Sequence, residues 1–564
     1  MMIASLPPFL LFFAGAPLVL LARGYLQKAV LLAIPLVSGA VLLGATEGES
    51  VTVSLLGYQL TPYRVDRLSL LFGYLFHVAA LIGIVFSLHL QDRSQHLPAL
   101  LYAGSALGAV FAGDLITLFL FWELAAVTSV FLVWARRQPA ALAAGWRYLM
   151  IQVLSGLLLL GGMLMWYQET GSLAFDELGL QGVSTWLIFL AFGIKCAFPL
   201  LHNWLTDAYP EATPTGTVFL SAFTTKMAVY ALARGFPGTE VLVYIGAIMT
   251  CFPIFYAVIE NDLRRVLAYS MINQVGFMVC GIGIGTALAV NGAVAHAFND
   301  VIFKGLLFMA MGAVLHMTGR IKGSELGGLY KTMPVTTVLC IVGACSISAF
   351  PLFSGFVSKS MVMAAALEQG HDWVWLALLF ASAGVFHHAG IKIPFFAFFA
   401  HDSGIRVREP PFNMLLAMGA AAVLCVLIGS YPWALYSLLP HPVEYVPYTV
   451  THVLAQLQLL FFSALAFTWL KLSGLYPPEL PSVNIDAEWL YRRLAPRVVR
   501  GVSEATVPLH LGLRLGLLRR LGRFVGILFW YHGPRGILAR TWATGSMVLW
   551  VVILLGVYLV AYYY

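Results

Sequence analysis

Long apolar runs separated by short polar gaps make up most of the chain. An α-helix needs roughly 20 apolar residues to cross the hydrocarbon core of a bilayer. About sixteen runs suit that role, at 5–22, 26–44, 67–90, 97–112, 115–134, 142–167, 184–205, 213–234, 241–260, 264–286, 288–317, 333–366, 373–400, 412–432, 449–472 and 542–562. A further stretch, 483–540, is too polar to cross. It interleaves Arg492, Arg493, Arg497, Arg500, Arg514, Arg519, Arg520 and Arg523 with Leu, Val, Trp and Phe. That pattern predicts a basic amphipathic helix along a membrane surface, interrupted near Pro496 and Pro508. The first run, from Met1, has no basic leader and reads as a span rather than a cleaved signal.

Composition strengthens this picture. Of 564 residues, 60% are hydrophobic and 10% charged, where a soluble domain carries about 25% charged residues. The expected fold is therefore an all-α polytopic membrane protein. A net charge of +7 invites a nucleic-acid reading, but most basic residues lie between spans, where they set topology. Sorted by loop parity, Arg23, Lys28, Arg93, Arg136, Arg137, Arg264, Arg265, Arg320, Lys322, Lys331, Arg406, Arg408 and the basic segment 483–540 fall on one side. Arg64, Arg67 and Arg234 fall on the other, with Glu47, Glu49, Glu169, Asp176 and Glu177. The positive-inside rule then places both termini on the outer, periplasmic side of a cell inner membrane. Cys196, Cys251, Cys280, Cys340, Cys345 and Cys425 all sit in apolar runs without metal spacing and read as packing residues. The "GIGIG" at 281–285 lacks the strand–turn–helix context of a nucleotide loop. No cofactor and no metal is expected.

Against this apolar background, isolated charges stand out. Glu123 is the only charge between Asp114 and Arg136, Lys195 between Glu177 and Asp207, and Lys226 between Glu211 and Arg234. Asp300 and Lys304 are alone between Arg265 and Arg320, accompanied by His296. Lys359 is alone between Lys331 and Glu368, and Lys392 between Asp372 and Asp402. Each such charge costs about 2.5–3.5 kcal/mol at mid-span, so intramembrane charges usually mark ion or proton paths. His296, Asp300 and Lys304 are spaced i, i+4, i+8 and share one helical face, a stripe suited to relaying protons. Lys392 lies nearer its span end, where a lysine can snorkel to the surface.

Two of these lysines accompany a repeated tetrapeptide. "AFPL" occurs at 197–200 and again at 349–352. Mid-span prolines, Pro199 and Pro351, free backbone carbonyls and break helices, which is tolerated where the break lines a hydrated cavity. Interrupted helices at matching places in two halves point to a transporter's site. Five spans separate the breaks, so the repeats should be inverted.

Several motifs then carry a family resemblance: "KCAFPLLHNWLTDAYPEATPTGTVFLSAFTTKM", "DLITLFLFWELAAV", "ENDLRRVLAYSMINQVGFM", "HAFNDVIFKGLLFMAMGAVLH" and "FPLFSGFVSKS". Over roughly 60–400 the chain resembles the proton-conducting membrane subunits shared by Mrp-type cation/proton antiporters, respiratory complex I and membrane-bound hydrogenases. It looks most like the D-type component of the Mrp antiporters with an extended C-terminus. The resemblance implies two inverted five-helix repeats, each with a broken helix. It matches Glu123 to the acidic partner of Lys195, Lys226 to the connecting lysine, His296 and Lys304 to a central pair, and Lys359 to the second broken helix. Asp300 stands where many relatives have a second histidine.

The expected organisation is N-terminal helices at 1–96, first repeat at 97–234, second at 241–400, further spans at 401–482, a lateral helix at 483–540 and a terminal anchor at 541–564. The expected function is proton translocation within a multi-subunit Na+/H+ antiporter, with other membrane subunits, H+, a monovalent cation and anionic lipid as partners. Alternatives are the pumping subunit of a complex I-like oxidoreductase or hydrogenase, or of a carbon-uptake complex.

Overall fold

A computed structural model describes residues 6–480, 484–540 and 543–564. The expected first residue of the first span, the boundary at 481–483 and the start of the last segment at 541–542 lie outside the described residues. Two compact units result, Met1–Asn484 and Ile485–Tyr564.

The first unit is built from helices α1 (Phe9–Leu21), α2 (Gly24–Leu43), α3 (Arg67–Ser87), α4 (Arg93–Phe111), α5 (Leu115–Trp134), α6 (Pro139–Thr170), α7 (Val183–Lys195), α8 (Asn203–Ala208), α9 (Gly216–Gly235), α10 (Val241–Ile259), α11 (Leu263–Ile284) and α12 (Ala287–Thr318). There follow α13 (Pro334–Ile347), α14 (Ser354–Glu368), α15 (Asp372–Val385), the one-turn α16 (Lys392–Pro394) between π-helical turns at Phe386–Ile391 and Phe395–Phe399, α17 (Phe412–Ser430), α18 (Trp433–Tyr436) and α19 (Val450–Leu472). Among the described residues, twelve helices are long and apolar enough to cross a membrane by length and composition, and α1, α7 and α13 are shorter apolar helices. This is a multi-pass membrane protein.

Side-chain caps set several helix starts. Asp66 forms a capping box with Ser69 at α3, while Asp92, Asp114 and Asp262 accept backbone N–H groups at the starts of α4, α5 and α11. Each supplies a donor-rich helix end with an acceptor where water is scarce. Helices α9, α11 and α12 form the centre, with nearly all their residues buried, whereas α19 lies at the rim. Helix α10 packs on α11 through Gly246 and Gly276, where a Cβ would run into the opposite backbone.

Three features depart from expectation. A β-hairpin, β1 (Ser50–Leu55) and β2 (Tyr58–Arg64), connects α2 to α3, so only the membrane part is all-helical. Its turn carries positive φ at Leu56 and Gly57, the geometry of a tight two-residue hairpin, and alternation over Val51–Leu55 feeds it. Asp114 anchors the hairpin by accepting the Thr61 N–H at 2.7 Å. Second, helix α20 (Ala495–His532) in the second unit runs through Pro508 without interruption, and Pro496 falls in its first turn. A first-turn proline loses no helical bond, and an interior one removes a single bond that an exposed helix survives as a bend. At 38 residues α20 is about 57 Å long. It is followed by α21 (Thr544–Tyr563), which carries no charged residue. Third, Arg264, expected in a topological loop, is buried at 1% exposure. Its guanidinium donates to the carbonyls of Tyr209, Pro210 and Ala212 at 3.0–3.2 Å. Those carbonyls follow the end of α8, where helix geometry leaves acceptors without partners.

The two expected breaks share a backbone signature. Ala197 and Leu200 have φ of +61° and +69°, and Ala349 and Leu352 have φ of +57° and +74°. Left-handed conformations cost a residue with a side chain about 1–2 kcal/mol, so two per break is a deliberate corner around Pro199 and around Pro351.

Candidate functional site: a buried file of charges

Lys195 is the last residue of α7, delivered by the break to the interior at 1% exposure. Its Nζ donates to the Trp122 carbonyl on α5 at 2.6 Å and lies 4.4 Å from the centre of the Trp122 ring. The indole is fixed in turn, donating to Ser155 Oγ on α6 at 2.9 Å, while Ser155 donates to the Ala191 carbonyl on α7 at 2.7 Å. The expected contact pair Glu123–Lys195 is not formed: among the described residues no ion pair joins them within 4 Å. The two are near enough for their charges to interact. Lys195 has turned to the carbonyl of the neighbouring Trp122, leaving Glu123 Oε1 without a hydrogen bond. The carboxylate lies against Gly156 on α6, where a Cβ would occupy the same space.

Lys226 on α9 meets Asp300 on α12. Nζ lies 2.5 Å from Oδ2, with both side chains at 0% exposure. The angles do not align into a hydrogen bond, so both Asp300 oxygens lack one while the charges touch. Asp300 thus departs from the helical stripe's expected use. It neutralises a lysine of the preceding half instead of simply relaying between His296 and Lys304.

The remaining stripe residues are held by neutral partners. Ser358 Oγ on α14 and Gln274 Oε1 on α11 lie 3.1 and 3.2 Å from the two ring nitrogens of His296. Gln274 Nε2 donates to Asn273 Oδ1 at 2.5 Å, which orients its amide. The proton is thereby assigned to His296 Nε2, with Nδ1 accepting from Ser358. Lys304 Nζ donates to Ser270 Oγ at 2.8 Å. Lys359 donates to the Ile347 carbonyl, freed by the second break, at 3.1 Å, and lies 5.1 Å from the Phe277 ring centre. The breaks match, but the lysines do not: Lys195 precedes its corner and Lys359 follows its own by about two helical turns.

Lys392 does not snorkel. It is at 0% exposure, 2.9 Å from Glu479 Oε1. Its ammonium also donates to the carbonyls of Ala257, Val258 and Glu260 at 2.6–3.2 Å, the negative end of the α10 dipole. Sequence reasoning missed Glu479, which lies in the proline-rich "YPPELP" after α19 with no helical register to betray it. His388, fully buried in the adjoining π-helical turn, was missed as well. The signal available for it was one more polar residue in an apolar run.

Comparison with known proteins places this geometry. Residues 112–384 match the family described as NADH:quinone oxidoreductase/Mrp antiporter, transmembrane. The A-type subunit of the Na(+)/H(+) antiporter of Alkalihalophilus pseudofirmus is 29% identical over 442 residues, 69% of this chain and 54% of that one. Hydrogenase-4 component B of Escherichia coli is 28% identical, over 66% of this chain and 62% of that one. The chain spans about half the length of the curated antiporter relatives it matches. Among solved structures, the Mrp complex from Dietzia sp. DQ12-45-1b matches with a TM-score of 0.70 at 22% identity, covering 82% of this chain and 98% of that one. The membrane-bound sulfane sulfur reductase, an archaeal respiratory membrane complex, matches at 0.71 and 22%, over 98% and 99%. Both likenesses establish the fold. The antiporter relative from Alkalihalophilus is of the A type, where the motifs suggested the D type.

Proposed function

We infer, for a chain whose residues 112–384 match the NADH:quinone oxidoreductase/Mrp antiporter transmembrane family, that it is the proton-translocating subunit of a multi-subunit Na+/H+ antiporter. The observation that carries this reading is the Lys226–Asp300 pair, fully buried between α9 and α12, in a chain that also buries Lys195, His296, Lys304 and Lys359. Titratable groups of this number are costly at membrane depth, and groups kept there at that cost mark ion or proton paths.

In this reading a proton enters beside Glu123, which lacks a fixed hydrogen bond and is free to change partners. Lys195 first hands its own proton onward toward Lys226, and the neutral amine, released from the Trp122 carbonyl, then swings to the carboxylate and takes up the proton held there. Lys226 then loses or gains attraction to Asp300 as its neighbour's charge changes, and Lys304, His296 and Lys359 complete the path. The paired breaks support two inverted repeats around this file, and the loop charges support termini on the outer side. Other membrane subunits, H+ and a monovalent cation are the partners this function requires.

The test is proton movement in everted membrane vesicles. A pH gradient should collapse on adding Na+ when the whole complex is present and should persist with Lys226→Ala. Resemblance to Hydrogenase-4 component B favours a second reading, coupling to a redox enzyme. Co-purification of cluster-bearing soluble subunits, with no Na+ response, would replace the first reading by the second.

A further inference from the structure

Where the start of α2 meets the connection leading into α4 lies a cleft of about 490 Å³, apart from the charge file. Arg23, Gln27, Lys28, Gln91 and Arg93 supply its polar lining. No acidic side chain lines it. Asp92, the carboxylate closest in sequence, is engaged elsewhere by the Ser94 N–H, Ser94 Oγ and Arg137. Helix α2 starts here, with Arg23 at its N-cap position, no side-chain cap and no acid in its first turn. The first N–H groups of a 20-residue helix therefore face the cleft with the positive end of its dipole. Independently, Gln27 is 7% exposed and its Nε2 has no hydrogen-bond partner. A buried amide donor without an acceptor costs free energy unless a ligand supplies one. Arg93 holds the corner in shape by donating to the Ala22 carbonyl at 3.2 Å.

We propose that this cleft binds the phosphodiester headgroup of an anionic phospholipid. Three cations, a bare helix N-terminus and a buried amide N–H converge on one volume, which is the chemistry of phosphate oxygens. The lipid source, rather than free phosphate, follows from the rim. Leu21, Tyr25 and Leu26 stand 80%, 90% and 64% exposed beside the cleft, an apolar and aromatic edge suited to acyl chains at the interface. The cleft also sits on the loop side rich in arginine, where anionic lipid headgroups are drawn to basic residues.

The experiment is a native mass-spectrometry titration of the full-length protein, purified with its partner subunits and stripped of lipid. Phosphatidylglycerol, phosphatidylcholine and inorganic phosphate serve as separate probes. Each cation removed is expected to weaken binding about fivefold, so Arg23→Gln/Lys28→Gln should bind phosphatidylglycerol about 25-fold more weakly. Gln27→Glu keeps the side-chain shape and should also lose binding by placing a carboxylate against the phosphate. Phosphatidylcholine should bind weakly and equally to all forms, and vesicle proton transport should be retained by the variants. Unchanged phosphatidylglycerol affinity in both variants would overturn the site. Inorganic phosphate displacing the lipid, with the same sensitivity to the variants, would overturn the lipid assignment.

Discussion

Replacing Asp300 by alanine is expected to destabilise the protein more than replacing both members of the pair. At 2.5 Å between Nζ and Oδ2, the gross attraction is about 7 kcal/mol at an effective dielectric of about 20. Desolvation of two ions offsets most of this, so the intact pair contributes little net stability. Removing one partner keeps the other's desolvation cost and loses the attraction, a loss of about 3–5 kcal/mol. Lys226→Leu/Asp300→Leu removes both terms together and should recover much of that loss. The assay is a double-mutant cycle of Lys226→Leu, Asp300→Leu and the double variant on thermal unfolding of the purified protein, read by fluorescence, with folded yield from membranes as a second measure. A coupling of about 2 kcal/mol or more is expected. Vesicle proton flux should vanish in all three variants, because packing is restored in the double variant and charge is not. Additive single effects, or Asp300→Ala as stable as wild type, would show that the two side chains do not depend on each other and would remove the pair from the mechanism.

Other outcomes follow from the same geometry. Lys195→Ala and Glu123→Ala should each abolish vesicle proton flux while insertion is retained, and Gly156→Ala should mimic the second by displacing the Glu123 carboxylate. Lys304→Ala and Lys359→Ala should block flux with little change in folded yield, whereas Lys392→Ala should lower yield by stranding Glu479 in the interior. Burial alone would raise the Asp66 pKa, but Arg234, the Ser69 N–H and Arg64 hold it below the usual carboxylate range. Its contribution is therefore full above about pH 4 and lost as pH falls through the lower folded value. The stability gap between wild type and Asp66→Asn should stay constant from about pH 7 to 5 and close below about 4. The exposed basic and apolar length of α20 suits it to hold partner subunits together, so truncation after residue 484 should reduce assembled complex on native gels, with flux falling in proportion; normal assembly with lost coupling would refute that role.

The helical plan and the charged positions were readable because a bilayer penalises exceptions. Lys195, Lys226 and Lys359 stand out against an apolar run whatever they touch. Their partners were hidden for the same reason: nothing in local spacing links Lys226 to Asp300, or Lys392 to Glu479, which meet only through tertiary packing. Asp300 read as part of a helical stripe because i, i+4 spacing is a local signal, while its contact across to α9 is not. Arg264 misled because an arginine beside a loop is usually solvated, and only the folded chain reveals the carbonyls it collects. The hairpin went unseen because its strands are six and seven residues long and lie between much stronger helical signals.

The corners around Pro199 and Pro351 carry one more consequence. Glycine would adopt positive φ there at almost no cost, yet Ala197, Leu200, Ala349 and Leu352 occupy those places. A glycine corner would swing among many conformations, whereas side chains at positive φ leave few alternatives within reach. The interruptions therefore work as fixed elbows and not as hinges. Movement during turnover must then fall to amine chains such as Lys195, which can exchange one acceptor for another while the backbone stays still.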